Sequence, residues 1–144
     1  MRTEWDHWED VDRDDPFVWP WKFFSPEEMA CQGTGRLVIV PEFMQRLAGT
    51  RSVYGKGIRV SRGYSTPEHN DKVSKTGRDG PHTTARAIDI FVFGGDYILL
   101  RRIAEAHMFT GFGAHQKGPH HLRFLHLDDL PDGPGCPRPW GWTY

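Results

Sequence analysis

Two stretches of the sequence place polar side chains inside apolar, strand-like runs, and this feature constrains the fold most strongly. In ARAIDIFVF, residues 85–93, Asp89 lies between two isoleucines, and in FLHLD, residues 124–128, His126 lies between two leucines. Because successive side chains of a strand point to opposite faces, both polar groups turn away from the apolar face. An unpaired buried carboxylate is costly. We therefore predict that the second face of these strands lines a cleft in which Asp89 has a partner.

A divalent metal ion is one partner that the sequence offers. His82 ends the glycine-rich loop before the first of these strands, where the chain can turn its imidazole toward Asp89, and His126 supplies a third ligand. Two histidines and one aspartate with an open fourth position are typical of catalytic zinc sites. Nitrogen and oxygen ligands without thiolate fit zinc better than copper or an iron–sulfur cluster. An ion pair of Asp89 with Arg62 or Arg86 is the alternative.

Helix-start signals predict two short helices. Ser25 followed by Pro26 and Glu28 has the form of a capping box with proline at the first helical position. Thr66 followed by Pro67 has the same cap-and-proline start.

Apolar periodicity predicts two further helices. The first covers residues 40–49 and is expected to end at Gly49, and the second covers residues 95–109 and is expected to begin with Asp96 as its cap. The predicted buried stripe of the second helix consists of Leu99, Ile103 and Ala106. Strand patterns in GIRVSRGY, GFGAH and LRFLHLD complete the set. The mixture indicates an α+β fold with a small, mostly antiparallel sheet and helices packed on one side.

Length and charge limit the remaining possibilities. The 144 residues have room for one domain, which we divide into an acidic, tryptophan-bearing N-terminal arm (residues 1–22) and a domain of residues 23–144 that includes the Pro/Gly-rich aromatic tail. A net charge of −1 argues against nucleic-acid binding. No apolar run approaches the roughly 18 residues of a membrane span. The oligomeric state is left open by the sequence.

Two expectations concern the cellular compartment. The acidic start of the chain has no apolar signal segment, which predicts synthesis in the cytoplasm without a signal peptide. Cys31 and Cys136 are few and far apart, and two unpaired thiols are favoured over a disulfide formed by a folded-back C-terminal tail.

Six motifs in sequence order resemble the zinc D,D-peptidases of the peptidase M15 type, which include D-Ala-D-Ala carboxypeptidases, murein endopeptidases and phage endolysins. PHTTARAIDI keeps their His-x(6)-Asp spacing, and FLHLD supplies their later histidine. FFSPEEMAC, RGYSTPEHN, GFGAH and RPWGWTY resemble further segments of that family. The matching positions include Gly63, Tyr64, Thr66, Pro67, Asn70, His82, Ala87, Asp89, Ile90 and His126. The similarity runs from about residue 23 to residue 144.

This resemblance implies a fold of the hedgehog/DD-peptidase type and one Zn²⁺ held by His82, Asp89 and His126. It implies a metallopeptidase, either a D,D-carboxypeptidase or a murein endopeptidase, whose substrate is a D-alanine-containing peptide of bacterial peptidoglycan. A phage or prophage context, with the cell wall as the site of action, follows from the same resemblance. Two other interpretations stay open: a catalytically inactive, zinc-stabilised binding module, and a virion component that docks through the acidic arm.

Three positions depart from the family pattern. Ala85 replaces a glycine, which is acceptable only where the backbone does not need a positive φ. Ser65 stands where the family has arginine, and the nearest arginine is Arg62. Arg123 stands three residues before His126, where many members have an acidic catalytic base.

The catalytic and substrate-binding residues are therefore predicted with alternatives. Asp128 shares a strand face with the last predicted ligand and is the first candidate for the base or for a residue that orients that ligand. His120 and His121 are rival candidates for the base. Arg62 is the predicted cation for the substrate, and Arg123 is the alternative.

Overall fold

A five-stranded mixed sheet forms the centre of the protein in a computed structural model that describes residues 3–144. The strands are β1 (Glu4–Trp5), β2 (Leu37–Val38), β3 (Arg59–Arg62), β4 (Ala87–Phe91), β5 (Gly111–His115), β6 (Phe124–Asp128) and β7 (Trp140–Thr143). β1 pairs with β2, and the large sheet has the order β3-β4-β6-β5-β7. β7 lies parallel to β5, whereas the other pairs are antiparallel. The predicted α+β fold with a mostly antiparallel sheet is confirmed.

Along the chain, each helix lies between two of these strands. They are α1 (Pro26–Met29), α2 (Pro41–Tyr54), α3 (Pro67–Val73) and α4 (Gly94–Ala106), with 3-10 turns at Trp8–Asp10, Gly77–Asp79, Pro81–Thr84 and His120–Leu122. The predicted capping box is present, because the Ser25 hydroxyl accepts from the Glu28 N–H and the Glu28 carboxylate accepts from the Ser25 N–H. Thr66 caps α3 as predicted, since its hydroxyl accepts from the His69 N–H.

The predicted end of α2 is wrong. Gly49 lies inside the helix, which continues to Tyr54 and ends before Gly55, whose φ of 72° forms the left-handed stop. Gly49 serves close packing instead, because a Cβ at this position would lie 3.1 Å from the ring of His107.

The predicted cap and buried stripe of α4 are also wrong. Asp96 is the third residue of the helix, and its carboxylate pairs with Lys56 Nζ at 2.6 Å. The buried residues of α4 are Tyr97, Leu100 and Ala104. Of the predicted stripe, Ile103 is partly buried against the core, whereas Leu99 and Ala106 are exposed. Both sets have helical spacing, so periodicity alone could not decide which of them faces the core.

The large sheet has one apolar face and one polar face, as the alternation of residues predicts. Ile88 and Ile90 of β4 and Leu125 and Leu127 of β6 are at most 1% exposed and belong to one core cluster with side chains of α2 and α4. The opposite face of the same strands carries Asp89, His126 and Asp128. The core thus fixes the strands from one side and leaves the other side for a site.

The N-terminal residues of the described chain pack on the same core. Trp5, Trp19 and Trp21 are at most 6% exposed and belong to the core cluster. The division of the chain at residue 22 stays a prediction, and residues 1–2 of the proposed arm lie outside the described residues. Within residues 3–144, no helix is both long and apolar enough to span a bilayer. Cys31 and Cys136 are free thiols.

Candidate metal centre

Three side chains meet on the polar face of the sheet. Asp89 and His126 are paired residues in the β4–β6 register, and His82 comes from the 3-10 turn that precedes β4. Asp89 Oδ1 lies 3.2 Å from His82 Nε2 and 2.9 Å from His126 Nδ1. All three residues are buried, and each offers a ligand atom within 4.8 Å of the other two. The structure therefore brings the three predicted metal ligands together.

The outer nitrogen of each imidazole faces an acceptor. His82 Nδ1 lies 2.8 Å from the carbonyl oxygen of Gly63, and His126 Nε2 lies 2.8 Å from Asp128 Oδ2. A neutral imidazole that donates its one N–H to this outer acceptor turns its remaining lone pair toward Asp89, as a metal ligand must. In the metal-free cluster, the second N–H of a protonated ring donates to Asp89 instead. Histidine ligands of metal ions are commonly oriented by outer hydrogen bonds of this kind.

The distances and the donor types fit a zinc ion. Bonds of about 2.0 Å in a tetrahedral set separate neighbouring ligand atoms by roughly 3.3 Å, close to the 2.9 and 3.2 Å at Asp89. Burial alone would raise the pKa of Asp89, but the charge of His82 and hydrogen bonds from both histidines lower it well below its usual range. Asp89 is therefore ionised at neutral pH, as a metal ligand must be.

Asp128 is held by an arginine that the sequence analysis did not single out. Arg138 donates from Nε to Asp128 Oδ1 and from Nη2 to Asp128 Oδ2, both at 2.8 Å. Burial would raise the pKa of Asp128, but the hydrogen bonds from His126 and Arg138 lower it. The Arg138 guanidinium also lies 5.4 Å from the Trp142 ring, which lies 5.0 Å from the His126 ring. These contacts close a ring of four side chains that includes His126, one of the predicted ligands.

Two glycines of β5 make room for this ring. A Cβ on Gly111 would lie 2.3 Å from the Asp128 carboxylate, and a Cβ on Gly113 would lie 2.7 Å from Trp142 Nε1. The Gly-x-Gly pattern in GFGAH is therefore explained by side chains that cross β5 from both neighbouring strands.

A cleft of about 460 Å³ opens above the three clustered residues. Its walls come from β3, from the end of α3 with the following loop, and from β7; they include Arg62, Lys75, Thr76, Phe124, Trp142 and Tyr144. Arg62 is the register partner of Asp89 on β3, and its guanidinium donates to Asn70 Oδ1 and to Ser65 Oγ. The buried Asn70 amide donates in turn to Thr76 Oγ1 and to the Gly77 carbonyl. This network holds Arg62 beside the cluster.

Tyr144 is a second polar residue of the cleft that the sequence analysis did not assign. Burial raises the pKa of the Tyr144 phenol to about 12, and the nearby charge of Asp89 acts in the same direction. The phenol is therefore protonated at neutral pH and can donate a hydrogen bond.

Four other candidate residues lie outside the cleft lining. His120 stacks on Phe93 with ring centroids 4.9 Å apart, and His120 and His121 are both exposed. Arg123 donates from Nε to the Gly118 carbonyl oxygen. Arg86, the alternative partner of Asp89, pairs with Asp129 and Glu42 instead.

The condition under which alanine is acceptable at position 85 is not met. Its φ is 59°, so the backbone adopts the left-handed conformation that favours glycine. The turn that presents His82 to β4 therefore requires this conformation, and the alanine adopts it with some strain.

The fold and the cluster define the class of this protein: a small α+β domain with a buried His–Asp–His site that could hold a metal ion. The family model for Peptidase M15 matches residues 22–128, which is most of the chain and contains all three clustered residues. The chain therefore belongs to the peptidase M15 family of zinc peptidases, and the resemblance predicted from the motifs is confirmed at the level of the family. No curated protein and no solved structure matches the chain.

Proposed function

We propose that this protein is a zinc-dependent metallopeptidase that hydrolyses D-alanine-containing peptide bonds of bacterial peptidoglycan. The observation that carries the proposal is the buried cluster of His82, Asp89 and His126 at the floor of an open cleft, in a chain of the peptidase M15 family. The motif resemblance supports three further parts of the proposal: peptidoglycan as the substrate, the cell wall as the site of action, and a phage or prophage context.

In this proposal His82, Asp89 and His126 hold one zinc ion. A zinc ion bound there would polarise the scissile carbonyl and lower the pKa of water toward about 7. Arg62 binds the substrate carboxylate, because its guanidinium is fixed next to the cluster by Asn70. Tyr144, which also lines the cleft, donates a hydrogen bond to the substrate, which its raised pKa of about 12 permits at neutral pH.

Asp128 orients His126 and does not act as the base. Both of its oxygens accept hydrogen bonds from Arg138, one also accepts from His126, and the side chain is fully buried. A carboxylate held in this way fixes the His126 ring so that Nδ1 faces Asp89. It has no free lone pair directed into the cleft at which to receive a proton.

Proton transfer then falls to the histidine pair His120 and His121. Among the residues of 3–144 that line the cleft, Asp89 is the one carboxylate, and it is assigned to the metal. The pair lies three to four residues before Phe124 in the cleft wall, on the exposed 3-10 turn that leads into β6. We assign His120 or His121 the role of base through a movement of this turn toward the bound substrate.

One observation favours the alternative of a catalytically inactive, zinc-stabilised binding module. Arg123 occupies the position three residues before His126, and the described cleft lining has no carboxylate besides the predicted ligand. Such a module would bind one zinc ion and a wall peptide without turnover.

The test combines metal content with hydrolysis. Purified protein is expected to contain one zinc per chain and to release D-alanine or cleave a cross-link in purified muropeptides. His82→Ala and Asp89→Ala are expected to lose zinc and activity together, whereas His7→Ala, remote from the cleft, is the matched control. Bound zinc without turnover of any wall preparation would favour the binding module, and full zinc retention in both ligand variants would refute the metal centre.

A further inference from the structure

A second cavity lies beside the cleft, on the other side of Trp142. It has a volume of about 430 Å³, and it shares Thr76, Pro81 and Trp142 with the cleft above the metal cluster. Trp142 is therefore a partition between two adjoining spaces. A ligand that fills the first space and extends past Trp142 enters the second.

The second cavity presents an exposed indole. Trp140 precedes Trp142 by two residues on β7, so both rings lie on the polar face of the sheet. Trp140 is 53% exposed, although large aromatic rings are mostly buried in folded proteins. Within the described residues, no hydrogen bond to the Trp140 indole N–H is present. The ring thus offers an uncovered apolar face and one free donor.

The polar groups of this cavity suit hydroxyl donors. Asp79 lines it with an exposed carboxylate for which residues 3–144 provide no hydrogen bond or ion pair. Gly80, Gly135 and Pro137 form low walls without long side chains. The Arg138 guanidinium, also in the lining, has its donors engaged by Asp128 and by the Pro137 carbonyl. The free groups are therefore one aromatic face, one indole N–H and one carboxylate.

We propose that this cavity is a saccharide subsite that binds a sugar unit attached to the peptide in the cleft. A pyranose ring has an apolar face of C–H groups that packs on an indole, and hydroxyl and amide groups that pair with a carboxylate and an N–H donor. A basic peptide side chain would pair with Asp79 but would leave the Trp140 indole N–H without an acceptor, whereas a sugar engages the carboxylate, the N–H donor and the aromatic face together. This assignment rests on the proposed function, because peptidoglycan peptides are covalently linked to sugars.

The test compares two substrates that differ only in the sugar: a free stem peptide, and the same peptide carrying its disaccharide. Wild-type zinc-loaded protein is expected to show a kcat/KM about tenfold or more higher for the glycosylated substrate, the scale of one good aromatic contact. Trp140→Ala and Asp79→Asn are expected to lose most of this preference while they cleave the free peptide at the wild-type rate. Phe17→Ala removes an aromatic ring that is 88% exposed and outside the lining of both spaces, and it is the matched control.

A binding measurement separates this inference from the proposed function. The indole N–H resonance of Trp140, assigned by its loss in Trp140→Phe, is expected to shift when N-acetylglucosamine oligomers are added to the full chain. If neither substrate is cleaved but the resonance shifts, the peptidase proposal fails and the saccharide subsite stands. Equal kcat/KM for the two substrates, or a resonance that responds to the free peptide and not to the sugar, would overturn the subsite.

Discussion

At the scale of single residues, the site depends on which donor and acceptor atoms of each side chain are still free after its hydrogen bonds to neighbouring residues are made. His82 and His126 use their outer nitrogens on Gly63 and Asp128 and have one nitrogen each for a metal ion. Asp128 is the residue whose contacts bear most on the choice between its two predicted roles, base or residue that orients His126. The sequence placed it on the correct strand face, and the salt bridge with Arg138 leaves it without a free oxygen.

Asp128→Asn tests this role. We expect the variant to bind zinc roughly 10- to 100-fold more weakly, because residues that orient a metal ligand contribute on that scale. At saturating zinc its kcat should return to within about tenfold of wild type. Zinc titration followed by kinetics at saturating metal checks this, and a loss of kcat of about a hundredfold or more that excess zinc does not restore would make Asp128 the base.

Arg62→Gln tests the substrate contact. We expect kcat/KM to fall by roughly 10- to 100-fold, mostly through KM, since a hydrogen bond to a charged group contributes about 1.5–3 kcal/mol. Arg123→Gln is the matched control, because Arg123 lies outside the cleft lining and should retain near-wild-type kinetics. Steady-state kinetics of both variants decide between the two arginines, and the reverse result would assign the substrate to Arg123.

At the scale of elements, β5 shapes the site because its two glycines have no side chains. Its glycines allow Asp128 and Trp142 to pass over the strand from β6 and β7, so three strands meet at one ligand. The metal site and the folding of the last strand are therefore coupled.

Gly113→Ala tests this coupling. The added Cβ would lie 2.7 Å from Trp142 Nε1 and 2.9 Å from His126 Cβ, and such overpacking typically costs about 1–3 kcal/mol in the free energy of unfolding. We expect that loss together with weaker zinc binding. Gly57→Ala, where no atom lies within 4 Å of the new Cβ, is the control. Denaturant unfolding with and without zinc measures both effects, and unchanged zinc affinity in Gly113→Ala would argue against the coupling.

At the scale of the whole molecule, metal binding and protonation compete at the same cluster. Burial lowers the pKa of His126, but hydrogen bonds to Asp128 and Asp89 outweigh it and raise that pKa above its ordinary 6.5 in the metal-free protein. A raised pKa stabilises the fold below pH 6.5, and this contribution is lost as pH rises through the folded-state value. Because the pKa values of Asp89 and Asp128 are lowered, their ionised carboxylates stabilise the fold above pH 3.8. This contribution is lost as pH falls through the folded-state pKa values.

These signs predict the pH dependence of stability. The metal-free protein should have its highest Tm between about pH 3.8 and 6.5, whereas the increase in Tm on adding zinc should grow as pH rises, because zinc must displace the His126 proton. Thermal unfolding over a pH series, with zinc and with chelator, measures both curves. A zinc-induced increase that is independent of pH would mean that His126 does not exchange a proton for the metal.

The sequence predicted the three clustered residues from strand alternation, which turns Asp89 and His126 away from the apolar face, and from the resemblance to the peptidase family; the pairing of β4 with β6 that brings them together is not a local feature. The capping box and the cap of α3 were predictable because their determinants are local. Arg138, Trp142 and Tyr144 were not assigned, since their roles depend on the parallel pairing of β7 with β5, which no local pattern encodes. The buried face of α4 and the position of Arg123 likewise depend on tertiary packing.

Trp142 stands on β7, an edge strand that carries none of the three clustered side chains. The opening of the cleft and its metal-binding floor consequently share Trp142, which lines the cleft and contacts the His126 ring. Substitutions of that ring are therefore expected to alter ligand selection and metal affinity together, so related chains that diverge in preference at this edge should also differ in how tightly they retain a metal.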